Sequence, residues 1–283
     1  MNGPSIAARA ARSLRFLRGV AGWRRLAAGV AGRRGAFTVE NDGIAFAGDM
    51  GSFIDRQVFL FGEYERDMIR LFIDACPRKG VILDVGANAG THSMWFARAF
   101  AQVHAFEPNR ILWEQYCRNV ELNHAANVEL HRVGLSDVAG EFPMYDVAND
   151  NCGLATFSTV EQYDLPLAPL HNARVEVFDD YLPDLRVDAV KIDVQGLEPN
   201  VLRGMRRMLE RDRPVVWAEI WAGTLSEVAT RSEIEQLFPY PIALRKFNRA
   251  RRGPIWGAPS LDRYDESTIA LGEYVITPGP EPA

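Results

Sequence analysis

The run Val81-Ile82-Leu83-Asp84-Val85, closed by Gly86-Ala87-Asn88-Ala89-Gly90, narrows the fold of this chain more than any other stretch. Five mostly apolar residues between two glycines read as a buried strand. Residues 91–101 follow with Met94, Trp95, Phe96, Ala97 and Phe100, the pattern of a helix that is apolar on most sides. The same alternation then repeats. Residues 103–106 read as a second strand, and Asn109 is placed to cap a helix over 110–123. Residues 128–135 read as a third strand, 188–194 as a fourth followed by a helix over about 197–211, and 215–220 as a fifth. Strands alternating with helices predict an α/β fold, a mostly parallel sheet with helices on both faces. Sheets wound this way take ligands outside the carboxyl ends of their strands, so the residues just past each strand carry the functional information.

The first such turn is Asp84-x-Gly86-x-x-x-Gly90. It differs from Gly-x-Gly-x-x-Gly, the turn that aims a pyrophosphate at a helix N-terminus, and this argues against a nicotinamide dehydrogenase. Asn88 stands where that motif wants its second glycine. Gly86 and Gly90 still let backbone approach a ligand closely. A zwitterionic amino-acid tail and a ribose suit such a turn better than a pyrophosphate. The second strand runs into Phe106-Glu107-Pro108-Asn109. An acid about 20 residues past the glycine turn is where a carboxylate accepts both hydroxyls of a ribose diol. Together the two turns point to S-adenosylmethionine, with Asp84, Gly86, Asn88, Gly90, Glu107 and Asn109 in its site. The third strand's end, Gly134-Leu135-Ser136-Asp137, should lie beside the adenine, with Ser136 or Asp137 accepting from the exocyclic amine. Thr91 and His92 open the first helix within reach of the cofactor's carboxylate, although plain packing accounts equally well for His92.

These segments, followed by Lys191-Ile192-Asp193-Val194-Gln195-Gly196-Leu197-Glu198, stand in an order that resembles the FkbM-type family of S-adenosylmethionine-dependent methyltransferases, over roughly residues 60–222. Tyr64-Glu65 resembles the family's entry segment, which lies near the cofactor, and Asn151-x-Gly153 resembles its Asn-x-Gly element, read here as contacting the acceptor. The resemblance implies a class I, Rossmann-like fold of seven strands whose last pair is a reversed hairpin, here about 241–247 and 274–277. It also implies O-methylation of a hydroxyl on a sugar, a glycan or a polyketide-type natural product. One position departs from the pattern. The family commonly has Asp-Val-Glu-Gly where this chain has Asp193-Val194-Gln195-Gly196. The missing carboxylate counts against Mg2+ at this point, and it leaves a non-catalytic S-adenosylmethionine-binding partner protein as the alternative.

Methyl transfer asks a protein to hold an acceptor oxygen in line with the methyl–sulfur bond and to take its proton. Asp193, at the fourth strand's carboxyl end, is the leading base, with Glu219 and Glu198 as rivals. An acid at a helix start, such as Glu198, also simply complements the helix dipole. Lys191 lies two residues before Asp193 and shares its face of the strand, where it either keeps that carboxylate ionised or pairs with it structurally. Residues 146–174 form a long connection with few strand signals, and it includes Asn149-Asp150-Asn151-Cys152-Gly153. Long loops in compact domains are often binding loops, so this one is expected to meet the acceptor. A basic cluster from Arg245 to Arg252 reads either as a receiver of an anionic acceptor or as a solvated turn.

Charge separates the chain into two parts. Residues 1–39 hold eight arginines and no acid, and the remaining 24 basic side chains face all 37 acidic ones. A body that acidic is a poor partner for nucleic acid, whose affinity comes largely from neutralised phosphates. Base-amino methylases of this architecture carry Asp/Asn-Pro-Pro-aromatic after the fourth strand, and this chain does not. The arm interleaves its arginines with Ile6, Leu14, Phe16, Leu17, Val20, Trp23, Leu26 and Val30. Residues 1–34 therefore read as a basic amphipathic helix on an anionic membrane, as a solvated tail, or as a targeting peptide. The expected organisation is an arm over 1–39, one methyltransferase domain over 40–278 and a frayed tail over 279–283. Cys76, Cys117 and Cys152 are too few and too scattered for a disulfide framework or a Cys-type zinc site, which fits a reducing cytosol. The localisation expected is therefore cytoplasmic, with the inner face of the membrane reachable through the arm.

Overall fold

The computed structural model describes residues 3–20, 22–62, 64–147, 157, 167–220, 224, 228–252 and 255–279. Two short helices lead, α1 (Ile6–Ser13) and α2 (Trp23–Ala31). A hairpin of β1 (Ala36–Asn41) and β2 (Ile44–Asp49) and then α3 (Phe53–Phe61) follow. Ser52 starts α3 by accepting the Asp55 N–H. After α4 (Arg66–Ala75), the glycine-bounded run forms β3 (Val81–Val85), followed by α5 (Thr91–Ala99), β4 (Gln102–Phe106), α6 (Trp113–Leu122) and β5 (Val128–His131). Next come β6 (Gly134–Leu135), β7 (Gly140–Val147), β8 (Leu167–Glu176) and α7 (Phe178–Tyr181). The chain returns through β9 (Ala189–Ile192), α8 (Glu198–Gly204), α9 (Arg206–Asp212) and β10 (Val215–Ile220). It ends with α10 (Arg231–Leu237), β11 (Ile242–Arg252), β12 (Ile255–Arg263) and β13 (Gly272–Pro278). Thr230 and Glu233 close a reciprocal capping box that fixes the start of α10.

The main sheet has the order β12-β11-β13-β10-β9-β3-β4-β5. The five strands from β10 to β5 run parallel, whereas β13 enters antiparallel between β10 and β11. Alternate side chains face opposite layers. Leu83, Val85, Val190 and Ile192 pack with Phe178, Leu202, Leu209 and Ile234 from α7–α10. Ile82, Val103, Ala189 and Trp217 pack with Ile69, Phe72 and Phe96 from α4 and α5. The expected α/β sheet covered on both faces is thus present, with an eighth strand, β12, added beyond the expected seven.

Several boundaries differ from the sequence reading, each for a local reason. The helix after Asn109 starts at Trp113, because Asn109 spends its side-chain oxygen on the Ile111 N–H and closes a turn there instead of capping. The third strand stops at His131; Gly134 and Leu135 leave the sheet and pair with β8, in a small sheet of order β6-β8-β7. β7 and β8 extend into the segment 146–174, a long connection with few strand signals in its sequence. The helix expected over 197–211 breaks at Met205. Gly204 sits so close under the Ser136 carbonyl that a Cβ there would stand 2.0 Å from it, so the break lies where β6's turn packs on α8. The cluster Arg245–Arg252 belongs to strand β11 and not to a turn.

The arginine-rich segment folds against the body. Ala8, Ala11, Ala27 and Ala31 face Phe37, Phe46, Phe59, Leu60 and Phe61. Arg12 donates to the Phe59 carbonyl and to Asn41 Oδ1, and the Arg24 guanidinium lies 4.9 Å over the Phe61 ring. α3 is therefore clamped between this pair of helices and the hairpin, and its start reaches the site described next.

Candidate active site

The turn after β3 is anchored to the neighbouring strand: the N–H groups of Gly86 and Ala87 both donate to the Phe106 carbonyl. Gly86 has φ +77°, and a Cβ on it would lie 1.9 Å from the Asp193 carbonyl, so only glycine lets β3 and β9 approach here. Beyond it, Asn88 adopts φ +52° and points its N–H at Glu107 Oε2, 2.8 Å away. Glu107 Oε1 accepts the Asn109 N–H at 2.7 Å. Each carboxylate oxygen thus holds one backbone N–H. Glu107 is buried, and burial raises its pKa to about 7 against the pull of those two N–H groups and of Lys191.

Lys191 sits between the carboxyl ends of β3 and β9. Its Nζ donates to the Gly86 carbonyl at 3.1 Å and lies 3.5 Å from both Asp84 and Asp193. Burial alone would discharge this ammonium; Asp193, Asp84 and Glu65 outweigh that and hold it protonated above its ordinary range. Burial likewise opposes a charge on Asp193, but Lys191 and hydrogen bonds with Glu219 and Gln195 prevail and keep its pKa below the usual carboxylate value. Gln195 bridges the two acids, 3.0 Å from Asp193 Oδ1 and 3.5 Å from Glu219 Oε2. Register then adds a residue that no sequence pattern indicated. Glu219 of β10 lies directly across from Glu273 of β13. Opposed like charges disfavour each other, and burial together with the neighbouring acids raises both pKa values well above normal. Glu273 accepts the Trp217 Nε1–H at 2.6 Å. From the first-helix side, His92 Nε2 meets Glu65 Oε2 at 3.0 Å.

These groups line one cavity. Of the sequence-predicted residues, Glu65, Gly86, Asn88, Thr91, His92, Glu107, Asn109, Lys191, Asp193 and Glu219 face it, joined by Gln195 and Glu273. Phe53 and Ile54 of α3 also line it, an element the motif reading did not connect to the site. Buried polar atoms wait there without partners: Thr91 Oγ1 and Asn109 Nδ2. The lining, with a buried Glu107 carboxylate held by two backbone N–H groups, unpartnered polar atoms and a cluster of acids around Lys191, fits an adenosyl amino acid.

Other expected residues sit elsewhere. Asp84 lies beneath the cavity, its Oδ2 accepting the Ser93 hydroxyl at 2.6 Å, and Gly90 packs on the Tyr116 ring. Ser136 and Asp137 do not line the cavity, which reaches only Gly134 and Leu135; Asp137 Oδ1 is taken by Ser136 Oγ and Asn200 Nδ2. Glu198 is buried outside it as a local brace, accepting the N–H groups of Val194 and Gly196 and the Thr224 hydroxyl. Those bonds occupy its carboxylate locally. In the basic cluster, Arg249 pairs with Asp67 and Lys246 lies over Tyr264 and Tyr274. Asn151 and Gly153 fall outside the described residues. Among the described residues, three metal-capable side chains gather at His104, Glu129 and His131, away from the cavity; His104 Nδ1 and His131 Nε2 spend themselves on each other at 3.0 Å.

A Rossmann-like sheet ending in a reversed strand pair, with a glycine turn and a buried acid at its first two strand ends, has the architecture of the S-adenosylmethionine-dependent methyltransferases. The chain belongs to the FkbM methyltransferase family: residues 84–248 match the Methyltransferase FkbM domain. It is 31% identical over 189 residues to the hexuronic acid methyltransferase AglP of Haloferax volcanii, covering 61% of this chain and 72% of that protein. It is 31% identical over 160 residues to methyltransferase 1 of Beauveria bassiana, covering 48% of this chain and 64% of that one. It is 30% identical over 171 residues to methyltransferase sdnD of Sordaria araneosa, covering 48% and 66%. The chain thus spans just under two thirds of the last two relatives. The solved methyltransferase FkbM of Methylobacillus flagellatus KT aligns over 78% of this chain and 52% of its own, at TM-score 0.41 and 17% identity.

Proposed function

We propose that this chain is an S-adenosylmethionine-dependent O-methyltransferase that methylates a hydroxyl of a sugar, a glycan or a related natural product. The observation that carries the reading is the meeting, in one cavity, of Glu107, the Gly86–Asn88 turn and Asp193. S-adenosylmethionine, when bound, supplies a methyl group activated by its sulfonium. Glu107 accepts the ribose hydroxyls, and the Asn88 and Asn109 N–H groups hold its carboxylate in place. Asp193 takes the acceptor's proton. Lys191 keeps Asp193 ionised, and burial together with Asp193 disfavours a second charge on Glu219 beside it.

The lining also speaks to the acceptor's charge. Lys191 is the one Lys or Arg among the described residues lining the cavity. The segments 148–156, 158–166, 221–223 and 225–227 contain no Lys, Arg or His. An acidic acceptor would meet the Asp193 carboxylate, while Lys191, the one Lys or Arg on the described lining, is already paired with Asp193 and Asp84; this favours a neutral or amino-bearing sugar over the hexuronic acid in the name of the Haloferax volcanii relative.

Purified protein with labelled S-adenosylmethionine and matched glucose, glucosamine and glucuronic acid glycosides tests this reading. Label in a base-stable methyl ether of the neutral or amino sugar is the expected result. Cofactor binding without transfer to any hydroxyl would favour a non-catalytic binding protein, and preferred transfer to the uronic acid would reverse the charge argument.

A further inference from the structure

Helices on a globular surface turn their large apolar side chains inward. α1 and α2 do the reverse. Their alanines at 8, 11, 27 and 31 pack on the body, while Ile6 (89% exposed), Leu14, Phe16 (73%), Val20, Leu26 (59%) and Val30 stand in solvent in and between the two helices. Of the eleven large apolar side chains exposed among the described residues, these six fall in the first 30. Leu26 and Val30 are one helical turn apart and form a stripe along α2. Arg9, Arg25, Arg33 and Arg34 are exposed on the same segment. The first 39 residues contain eight arginines and no acid, on a body with 37 acids against 24 bases.

A face both apolar and strongly basic is matched by an anionic bilayer, which takes apolar side chains at the headgroup–acyl boundary and arginines against its phosphates. A second copy meeting it face to face would bring its own arginines there and repel. We propose that the outer face of α1 and α2 docks this protein flat on an anionic membrane surface. Among the described residues, no helix is long and apolar enough to cross a membrane, so the contact is peripheral. α1 and α2 pack on α3, and α3 supplies Phe53 and Ile54 to the cavity wall. Docking therefore bears on an element that walls the cavity. Delivery of a lipid-carried acceptor there rests on the proposed activity; the docking itself does not.

Sedimentation of the full chain with phosphatidylcholine vesicles, with and without phosphatidylglycerol, tests the contact. Binding is expected to the anionic vesicles and to weaken as added salt screens the arginines. Leu26→Ser/Val30→Ser and Arg25→Glu/Arg33→Glu/Arg34→Glu should each reduce partition by about tenfold or more. All five side chains are exposed, so thermal melts of both variants should match the parent. The proposal is overturned by absence of binding, by equal binding to neutral vesicles, or by unchanged binding of both variants. It is equally overturned if ultracentrifugation shows a dimer that Leu26→Ser/Val30→Ser dissociates, since the face would then be a protein interface.

Discussion

At the scale of single residues, Glu107 and Asp193 are set apart by environment. Both are carboxylates at strand ends, yet burial pushes Glu107 up to about 7 while Lys191 holds Asp193 down. A raised acid pKa means that the folded protein keeps a proton that the unfolded chain loses. This group therefore contributes stability that declines as pH rises from its ordinary value through about 7. Diol binding runs the other way and should strengthen through the same window as the carboxylate ionises. Calorimetry with S-adenosylhomocysteine should show affinity rising from pH 6 to 8 for the parent. Glu107→Gln should bind at least about tenfold more weakly, with that slope gone, since a bond to a charged group contributes ~1.5–3 kcal/mol. Unchanged affinity in Glu107→Gln would remove the ribose assignment. Asp193→Asn preserves the shape but not the base; turnover should fall about 10²-fold or more with cofactor affinity kept within a few-fold. Full turnover would pass the role to Glu219.

At the scale of elements, the strand ends were legible because short apolar runs and glycines act locally. Gly86 is the clearest case. Gly86→Ala sets a Cβ against the Asp193 carbonyl at a left-handed backbone, and urea unfolding should show a loss of ~3 kcal/mol or more. Glu198 was legible as an acid at a helix start, but its role was not. Glu198→Ala leaves the buried N–H of Gly196 without its acceptor and should cost about 1–3 kcal/mol in the same assay. Turnover per folded molecule should change little. A large loss of turnover at normal stability would return Glu198 to the chemistry. The turn at Ser136–Asp137 stands off the described lining because β6 leaves the main sheet for β8, a pairing no local pattern encodes.

At the scale of the whole molecule, the arginine-rich helices, α3 and the cavity form one stack. Deleting residues 1–34 strips the cover from Val58, Phe59 and Phe61. The melting temperature should drop by roughly 6–12 °C, taking about 2–4 °C per kcal/mol and a loss of about 3 kcal/mol for the uncovered side chains. Point changes on the outer face, by contrast, should leave it in place. Equal melting temperatures for the deletion and the parent would mean that these helices do not support α3 in solution.

The sequence by itself determined the parallel core and the position of its first two ligand turns, since strand period, glycine turns and the Glu107 spacing are written in contiguous residues. It also determined that Lys191 and Asp193 share a face, because alternation along one strand requires it. Only the tertiary structure decided that Glu219 stands opposite Glu273, that Glu65 closes on His92, and that α3 walls the cavity. Those pairings depend on register and layer packing between segments far apart in the chain, and no local pattern encodes which distant strand lies beside which.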